Sequence, residues 1–214
     1  MTIQHHPDEE ILAAYAAGAL DLGQRVAIAT HLTTCPRCRD WVRSMERVGG
    51  ALLEEGPPAS LPEEALAAAL ARLDAPAPAP VARPPERADA PAGLPRFVRG
   101  YQFRAWRWVA PRVSLRPIVL PEATPTRVFL LRSAPNTTML QHAHTGLEMT
   151  CVLSGAFTHA GGRYGPGDFD FGDDSVSHQP RVEGDEDCIC LVAMQGDLKL
   201  GGLLGRLMQP FLRL

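Results

Sequence analysis

The chain has 214 residues, of which 45% are hydrophobic and 21% charged, and its net charge is −3. This composition is typical of a soluble globular protein with one large or two small domains. A sequence pI of about 6.2 argues against binding of nucleic acid by phosphate neutralisation, because that mode needs a basic surface.

The sequence favours a cytoplasmic protein without a membrane partner. Its longest apolar run, Ile11 to Leu20, is about half of the roughly 20 residues that cross a bilayer. The opening stretch, MTIQHHPDEE, lacks the basic start and apolar core of a signal peptide. In such a chain, five cysteines indicate metal binding or free thiols rather than structural disulfides.

Composition divides the chain into four segments. Residues 1–75 are rich in Ala and Leu at helical spacing, and the Ala- and Pro-rich residues 76–95 predict an extended linker. Residues 96–195 show short apolar runs between Gly, Pro, Asn and Asp, which is typical of an antiparallel β domain. Residues 196–214 form a C-terminal extension, expected to cover that domain rather than to make a second contact surface. The predicted fold class is multidomain α + β, with a small all-α N-terminal domain and an all-β C-terminal domain.

Four helices are predicted in the first segment. Proline followed by acidic residues suits a first helical turn and marks the starts of the first and fourth helices, and Pro36 marks the third. Gly49 and Gly50 are expected to end the third helix. The predicted spans are about 7–19, 22–32, 36–48 and 62–73.

A histidine and two cysteines stand close together where the second predicted helix gives way to the third. His31 and Cys35 fall on one helical face, and Cys35 and Cys38 flank the turn that opens the third helix. A structural zinc site needs four sulfur or nitrogen ligands, and His6 is preferred to His5 as the fourth. The alternatives are a redox dithiol, disfavoured by the helical surroundings, and buried inert thiols, disfavoured by polar neighbours.

This ligand spacing resembles the zinc-binding anti-sigma domain. The shared pattern is a distal histidine followed by H-x-x-x-C-x-x-C, within about the first 75 residues. The resemblance implies Zn²⁺ in this domain, and helices that wrap around an ECF-type sigma factor and block its binding to RNA polymerase core. The candidate contact residues, each with packing inside the helical domain as the alternative, are Trp41, Val42, Met45, Val48, Leu66, Leu70 and Leu73.

A second group of potential metal ligands lies in the β segment. His142 and His144 are two residues apart and point to one face of a strand, and Glu148 keeps the same parity. His178 is the candidate ligand from a separate strand, whereas His159 precedes a glycine turn and is interpreted as a surface residue. Imidazoles with a carboxylate suit zinc, iron, manganese or nickel. A solvent-exposed strand face is the alternative.

The same stretch resembles the first cupin motif, H-x-H, three residues, Glu, six residues and Gly, from His142 to Gly155. The turn GPGDF, residues 165–169, and His178 are similar to the second motif. The resemblance implies a jelly-roll barrel with Zn²⁺ or another divalent transition metal inside, held by the four residues of the previous paragraph. The chain departs from the pattern at Asn136, where cupins usually have glycine.

Two further cysteines, Cys188 and Cys190, share one face of a late strand. They are candidates for a redox pair. However, residues two apart on a strand rarely reach disulfide geometry without strain, so the preferred interpretation is that both are small buried core residues.

In this order, the two motifs resemble the ChrR-type anti-sigma factors, in which a zinc-binding anti-sigma domain precedes a cupin. The resemblance implies a negative regulator of transcription, not an enzyme, that holds an ECF-type sigma factor inactive. Release is expected in oxidative stress, with singlet oxygen and organic hydroperoxides as the associated signals. The linker would either transmit the signal or decouple the two domains.

Two other classes of protein compete with this prediction. A dioxygenase-like cupin metalloenzyme could carry the zinc module as an accessory, but only Arg163 and Asp168 are candidates for acid–base groups. A regulator that binds DNA itself is disfavoured by the acidic N-terminus and by a single lysine, Lys199.

Overall fold

The computed structural model describes residues 2–76, 90–91 and 93–201, with helices first and a β barrel after them. The helices are α1 (Glu9–Ala16), α2 (Leu22–Thr34), α3 (Pro36–Glu55) and α4 (Ala65–Asp74), and a 3-10 turn, Val98–Gly100, precedes the barrel. The strands are β1 (Gln102–Phe103), β2 (Arg107–Ala110), β3 (Val113–Val119), β4 (Arg127–Ser133), β5 (His142–His144), β6 (Glu148–Ser154), β7 (Ala156–His159), β8 (Gly162–Tyr164), β9 (Phe169–Gly172), β10 (Ser177–His178), β11 (Arg181–Glu183), β12 (Cys188–Met194) and β13 (Leu198–Leu200). This order confirms the predicted fold class. Among the described residues, none of the helices combines the length and the apolar character needed to cross a membrane.

The first helix is shorter than predicted. It begins at Glu9, because Asp8 has an extended backbone (φ −62°, ψ 153°) and serves as the N-cap. Pro7 therefore precedes the helix instead of opening it. The helix ends at Ala16, and Gly18 follows in the left-handed region at φ 70°.

The third helix is longer than predicted. It passes through Gly49 and Gly50 and continues to Glu55. Glycine weakens a helix by about 1 kcal/mol without blocking it. Gly56, by contrast, is extended (φ −66°, ψ 153°), as expected for the residue before Pro57, since that position disfavours the helical conformation.

The second helix is anchored at both ends. Asp21 and Gln24 form a reciprocal capping box at its start. At its end, Cys35 joins α2 to α3 without an intervening loop: its N–H donates to the carbonyl of His31, and its Sγ accepts from the N–H of Cys38. This junction places the histidine and both cysteines side by side.

The strands pair antiparallel in three sheets. The largest has the order β1-β3-β4-β12-β6-β9 with β2 beside β3, and the others are β10-β5-β13 and β11-β7-β8. Side chains alternate between the faces of the large sheet. On β12, Cys190 and Val192 face the barrel interior, whereas Leu191 and Ala193 face outward. The predicted C-terminal extension, residues 196–214, contains a strand of the barrel, β13, which pairs with β5. Residues 202–214 lie outside the described residues.

The outward face of the large sheet packs against α2, which in turn contacts α1 and α3. Leu12 and Ile28 of these helices belong to one apolar cluster with Leu130, Met149 and Leu191 of the sheet. The helices and the barrel therefore share a core, which argues against decoupled domains. Residues 77–89 of the predicted linker are not among those that the structure describes.

Candidate metal centres

The structure brings together the four residues predicted for the N-terminal site, His6, His31, Cys35 and Cys38. One potential ligand atom from each lies within 4.8 Å of the others. Cys38 Sγ lies 3.3 Å from His31 Nε2, and His6 Nδ1 lies 3.4 Å from both sulfur atoms. His6 is half-buried and the other three residues are buried.

These separations match the edges of a zinc tetrahedron. With Zn–S bonds of about 2.3 Å and Zn–N bonds of about 2.05 Å, a sulfur and a nitrogen ligand of one ion stand about 3.5 Å apart. Two thiols with two imidazoles are also a common donor set of structural zinc sites. The cluster therefore fits Zn²⁺ in both chemistry and spacing.

The protonation of the cluster suits a metal as well. The Nδ1–H of His31 donates to the carbonyl oxygen of Gly167 at 2.8 Å, which leaves the lone pair of Nε2 directed at Cys38. Burial lowers the pKa of His31 to about 4. Burial, followed by a hydrogen bond with Cys35, raises the pKa of Cys38 to about 12, so a thiolate at this position depends on a neighbouring cation.

His5, the alternative fourth ligand, serves a different contact. Its ring stacks on Tyr164 of the barrel, with the ring centroids 4.0 Å apart. Among the two adjacent histidines, only His6 belongs to the cluster. Burial, ahead of the charge of Arg37, lowers the pKa of His6.

The three histidines predicted for the barrel site also converge. The Nε2 atom of His178 lies 2.9 Å from that of His142 and 3.5 Å from that of His144. β10 pairs with β5 and places His178 opposite His142. Metal–nitrogen bonds of about 2.05 Å set neighbouring ligands about 2.9 Å apart in an octahedron and about 3.3 Å apart in a tetrahedron. A divalent transition metal therefore fits between these rings.

Glu148 approaches the same histidines from the start of β6. Its Oε2 lies 3.2 Å from His144 Nε2, and its Oε1 accepts a hydrogen bond from Thr150. The argument from strand parity is wrong, because a bend at residues 145–147 separates β5 from β6. Glu148 stands beside the imidazoles but outside the group of three whose ligand atoms all lie within 4.8 Å.

One hydrogen bond and the burial of the rings leave the barrel imidazoles with nitrogen lone pairs that can bind a metal. The Nδ1–H of His142 donates to the carbonyl of Leu140 at 2.8 Å, so its Nε2 lone pair faces the cluster. Burial, and then the neighbouring His142, lower the pKa values of His144 and His178 to about 4. Both rings are therefore neutral near pH 7.

The interpretation of His159 as a surface residue is wrong. Its side chain is 9% exposed, and its Nε2 lies 3.1 Å from Asp170 Oδ2. Its ring stacks on Tyr164 and lies 5.3 Å from the ring of His178, centroid to centroid. With Asp170 and His178 it forms a further group of potential ligands. Asp170 was missed, and its only sequence signal is a charged residue between the aromatic residues of FDF.

An apolar cavity of about 390 Å³ opens beside the barrel histidines. His142, Glu148 and His178 lie on its wall, and most of the remaining lining is apolar, including Phe129 and Phe157. Small apolar molecules would fit this volume, with a polar group directed at the imidazoles.

Cys188 and Cys190 also line this cavity and are buried, in agreement with the preferred interpretation. Both are free thiols, and their Sγ atoms lie 3.8 Å apart. A disulfide would require about 2.05 Å.

The fold and the two clusters define a protein that joins a helical module of the zinc-finger type to a cupin barrel. Family models bear this out: "ChrR Cupin-like domain" matches residues 96–196 and "Putative zinc-finger" matches residues 9–39. The second match includes His31, Cys35 and Cys38 but begins after His6.

Relatives link the two halves. The chain is 38% identical over 216 aligned positions to the anti-sigma-E factor ChrR of Cereibacter sphaeroides, with 100% of both chains covered. The crystal structure of Rhodobacter sphaeroides SigE in complex with the anti-sigma ChrR matches with a TM-score of 0.74 and 35% identity, over 91% of this chain and 100% of that chain. An RmlC-like cupin from Ralstonia eutropha is similar over 49% of this chain and 69% of its own, with 17% identity and a TM-score of 0.42. The chain belongs to the family of ChrR anti-sigma factors.

Proposed function

We propose that this protein binds an ECF-type sigma factor and prevents its association with RNA polymerase core. The observation that carries the proposal is the full-length similarity to an anti-sigma factor whose own structure is a complex with SigE. The action would be that of a cytoplasmic negative regulator of transcription, without catalysis and without direct contact with nucleic acid.

Exposed apolar side chains on α3 and α4 support a protein partner. Leu66, Leu70 and Leu73 recur at helical spacing on α4 and are 71%, 52% and 79% exposed, and Leu52 and Leu53 of α3 are 66% and 82% exposed. Large apolar side chains exposed on one helix mark interaction sites, and an amphipathic helix suits a groove of the partner. We give the name leucine surface to these exposed residues of α3 and α4, with Val48 included.

Two of the other candidate contact residues have a packing role. Val42 is buried in the core shared with the barrel, and Trp41 packs against that core. Met45 is half-buried. The proposed sigma contact therefore begins near Val48, in the exposed C-terminal half of α3.

We propose that Zn²⁺ is held by His6, His31, Cys35 and Cys38, where it would act as a structural cross-link. The ligands come from the segment before α1, from α2 and from the α2–α3 junction. A small helical module gains stability from such a link. The expected consequence is a fixed direction for α3, and hence for the leucine surface.

We propose that the barrel holds Zn²⁺ or another divalent transition metal through His142, His144, Glu148 and His178. Oxidative stress, as singlet oxygen or an organic hydroperoxide, would act there and lead to release of the sigma factor. The cavity beside the histidines supports access for a small apolar molecule. The same cavity is the one observation that favours a cupin metalloenzyme as the second candidate function.

The binding test uses the purified full chain and an ECF-type sigma factor of the same organism. We expect a stable complex in size-exclusion chromatography and loss of transcription from a promoter specific to that sigma factor, with a housekeeping sigma factor as the control. Equal inhibition of both sigma factors, or of neither, would refute the proposal.

Release is tested separately on the purified complex. Illumination with a photosensitiser, or addition of an organic hydroperoxide, should dissociate the wild-type complex, whereas His144→Ala should bind the sigma factor normally and resist dissociation. Release from the variant at the wild-type rate would remove the barrel histidines from the mechanism. Turnover of the hydroperoxide by the chain alone would favour the metalloenzyme.

A further inference from the structure

A turn of the barrel, Gly165–Asp168, holds the segment that carries the first potential zinc ligand. Asp168 Oδ1 accepts hydrogen bonds from the N–H groups of Gln4 (2.7 Å) and His5 (3.0 Å). Its Oδ2 accepts from the N–H of Gly165 at 2.8 Å, and the carboxylate is buried. A buried carboxylate with three N–H donors is a strong and geometrically specific anchor.

The chain continues this contact on both sides of Asp168. The N–H of Phe169 donates to the carbonyl of His5 at 3.1 Å. On the other side of Asp168, the carbonyl oxygen of Gly167 accepts a hydrogen bond from the Nδ1–H of His31 at 2.8 Å. Residues 165–169 therefore contact His31 directly and hold the backbone of His5, the residue immediately before His6.

Gly167 is suited to this position for two reasons. Its φ of +90° lies in the left-handed region, which favours glycine. In addition, a Cβ there would lie 2.8 Å from Ile3 Cδ1 and 3.1 Å from Thr34 Oγ1, so a side chain would displace the side chain of Ile3 and crowd that of Thr34. The close approach delivers the Gly167 carbonyl to His31.

A row of neighbouring aromatic rings leads from His5, beside the same turn, to the barrel histidines. His5 stacks on Tyr164 at 4.0 Å, Tyr164 stacks on His159 at 4.8 Å, and His159 lies 5.3 Å from His178, measured between ring centroids. Of the seven histidines in the chain, five belong to the two clusters, and His5 and His159 lie between them. Asp170 is hydrogen-bonded to His159 and lies on β9, two residues after Asp168.

We propose that Asp168 and the carbonyl of Gly167 position the ligands of the N-terminal zinc site, so that zinc retention there depends on the metal state of the barrel. The inference rests on the proposed zinc site. Hydrogen bonds to the second nitrogen of a ligating histidine fix the ring and its tautomer, and their loss weakens metal binding. Because the turn opens β9, which carries Asp170 into the barrel, each metal site would influence the other reciprocally.

The first experiment measures zinc transfer from the full-length protein to a chromophoric chelator. We expect Asp168→Ala to release zinc about 10–100 times faster than wild type. Asp168→Asn should be intermediate, since its amide oxygen still accepts from the N–H groups. The matched control is Asp185→Ala, which removes an exposed carboxylate from the β11–β12 turn and should leave the rate unchanged.

A second variant guards against a folding defect in the turn. His5→Ala leaves the barrel sequence intact and removes the ring that stacks on Tyr164, and it should also accelerate zinc release. The inference would be overturned, and the proposed zinc site left intact, if Asp168→Ala and His5→Ala released zinc at the wild-type rate. Both variants would need normal circular dichroism and normal zinc content for this result to count. Absence of zinc from the N-terminal cluster of wild type would overturn the proposed zinc site together with the inference.

The second experiment is a double-mutant cycle for the link between the sites. His144→Ala, which empties the barrel site, should change the zinc release rate at least about fivefold in the wild-type background. In the Asp168→Ala background it should have no further effect. Independent, multiplicative effects of the two substitutions would show that the turn does not connect the sites.

Discussion

A Cβ added to Gly23 would lie 2.6 Å from the carbonyl oxygen of Thr126, so the first turn of α2 rests directly on the loop before β4. The hydroxyl of Thr126 in turn donates to Asp21 Oδ2 at 2.6 Å, which is the side chain that caps the same helix. Helix and barrel thus meet through a steric fit and a polar contact in addition to their shared apolar core.

This contact predicts opposite effects for two glycine substitutions. Gly23→Ala should lower the free energy of unfolding by about 1–3 kcal/mol, because the new methyl group meets backbone that cannot easily move. Gly49→Ala should raise it by about 0.5–1 kcal/mol, since Gly49 lies inside α3 with open space around it. Urea unfolding of the full chain measures both changes in the free energy of unfolding. Equal effects at the two positions would contradict the close contact between α2 and the loop before β4.

The leucine surface makes a prediction about binding without loss of stability. Leu70→Asp should weaken sigma factor binding at least about tenfold, because it would place a charge where the proposed interface buries an apolar side chain. Its thermal midpoint should stay close to wild type, because the side chain is already half-exposed. Calorimetric titration checks the affinity. Ala68→Asp, also exposed on α4 but on the far face, is the control, and equal losses for both variants would exclude a specific surface.

Five members of the two clusters could be predicted from the sequence because short spacings constrain them, whereas His6 and His178 come from separate segments. His31, Cys35 and Cys38 lie within two turns of helix around one junction, and His142 and His144 lie on one short strand. Local geometry alone brings such residues together. The helix ends were less predictable, because proline and glycine bias the backbone without determining where a helix stops, as Pro7 and Gly49 show.

Contacts between distant segments could not be predicted in the same way. His159 looks like a turn residue in sequence, and only the antiparallel pairing of β7 with β8 and the approach of β9 bury it beside Asp170. Likewise, nothing local to Asp168 indicates that its carboxylate accepts from Gln4 and His5, more than 160 residues away. Such contacts depend on the tertiary arrangement, which a single sequence does not encode as a pattern.

The lowered histidine pKa values predict that the metal-free chain becomes less stable in acid. Burial lowers the pKa values of His31, His144 and His178 to about 4 in the folded protein, against about 6.5 when unfolded. Between these values the unfolded chain binds more protons, so stability is greatest above about pH 6.5 and falls as the pH decreases toward 4. Urea unfolding after chelation, between pH 7.5 and 5, should show this decline. His31→Gln should make it shallower, and a flat profile would contradict the prediction.

Zinc content and stability should depend on Cys35 and not on another buried thiol. Cys35→Ser should lose one Zn²⁺ per chain by elemental analysis, because a hydroxyl is a poor zinc ligand and three donors remain. The matched control is Cys151→Ser: Cys151 lies on β6 in the core shared with α2, its pKa is raised to about 12 by burial, and it lies outside both clusters. Both variants lose a buried sulfur, so the difference between them isolates the metal. The thermal midpoint of Cys35→Ser should lie at least about 5 °C below that of the control. Equal zinc content in the two variants would mean that the N-terminal cluster is not a zinc site, whatever their relative stabilities.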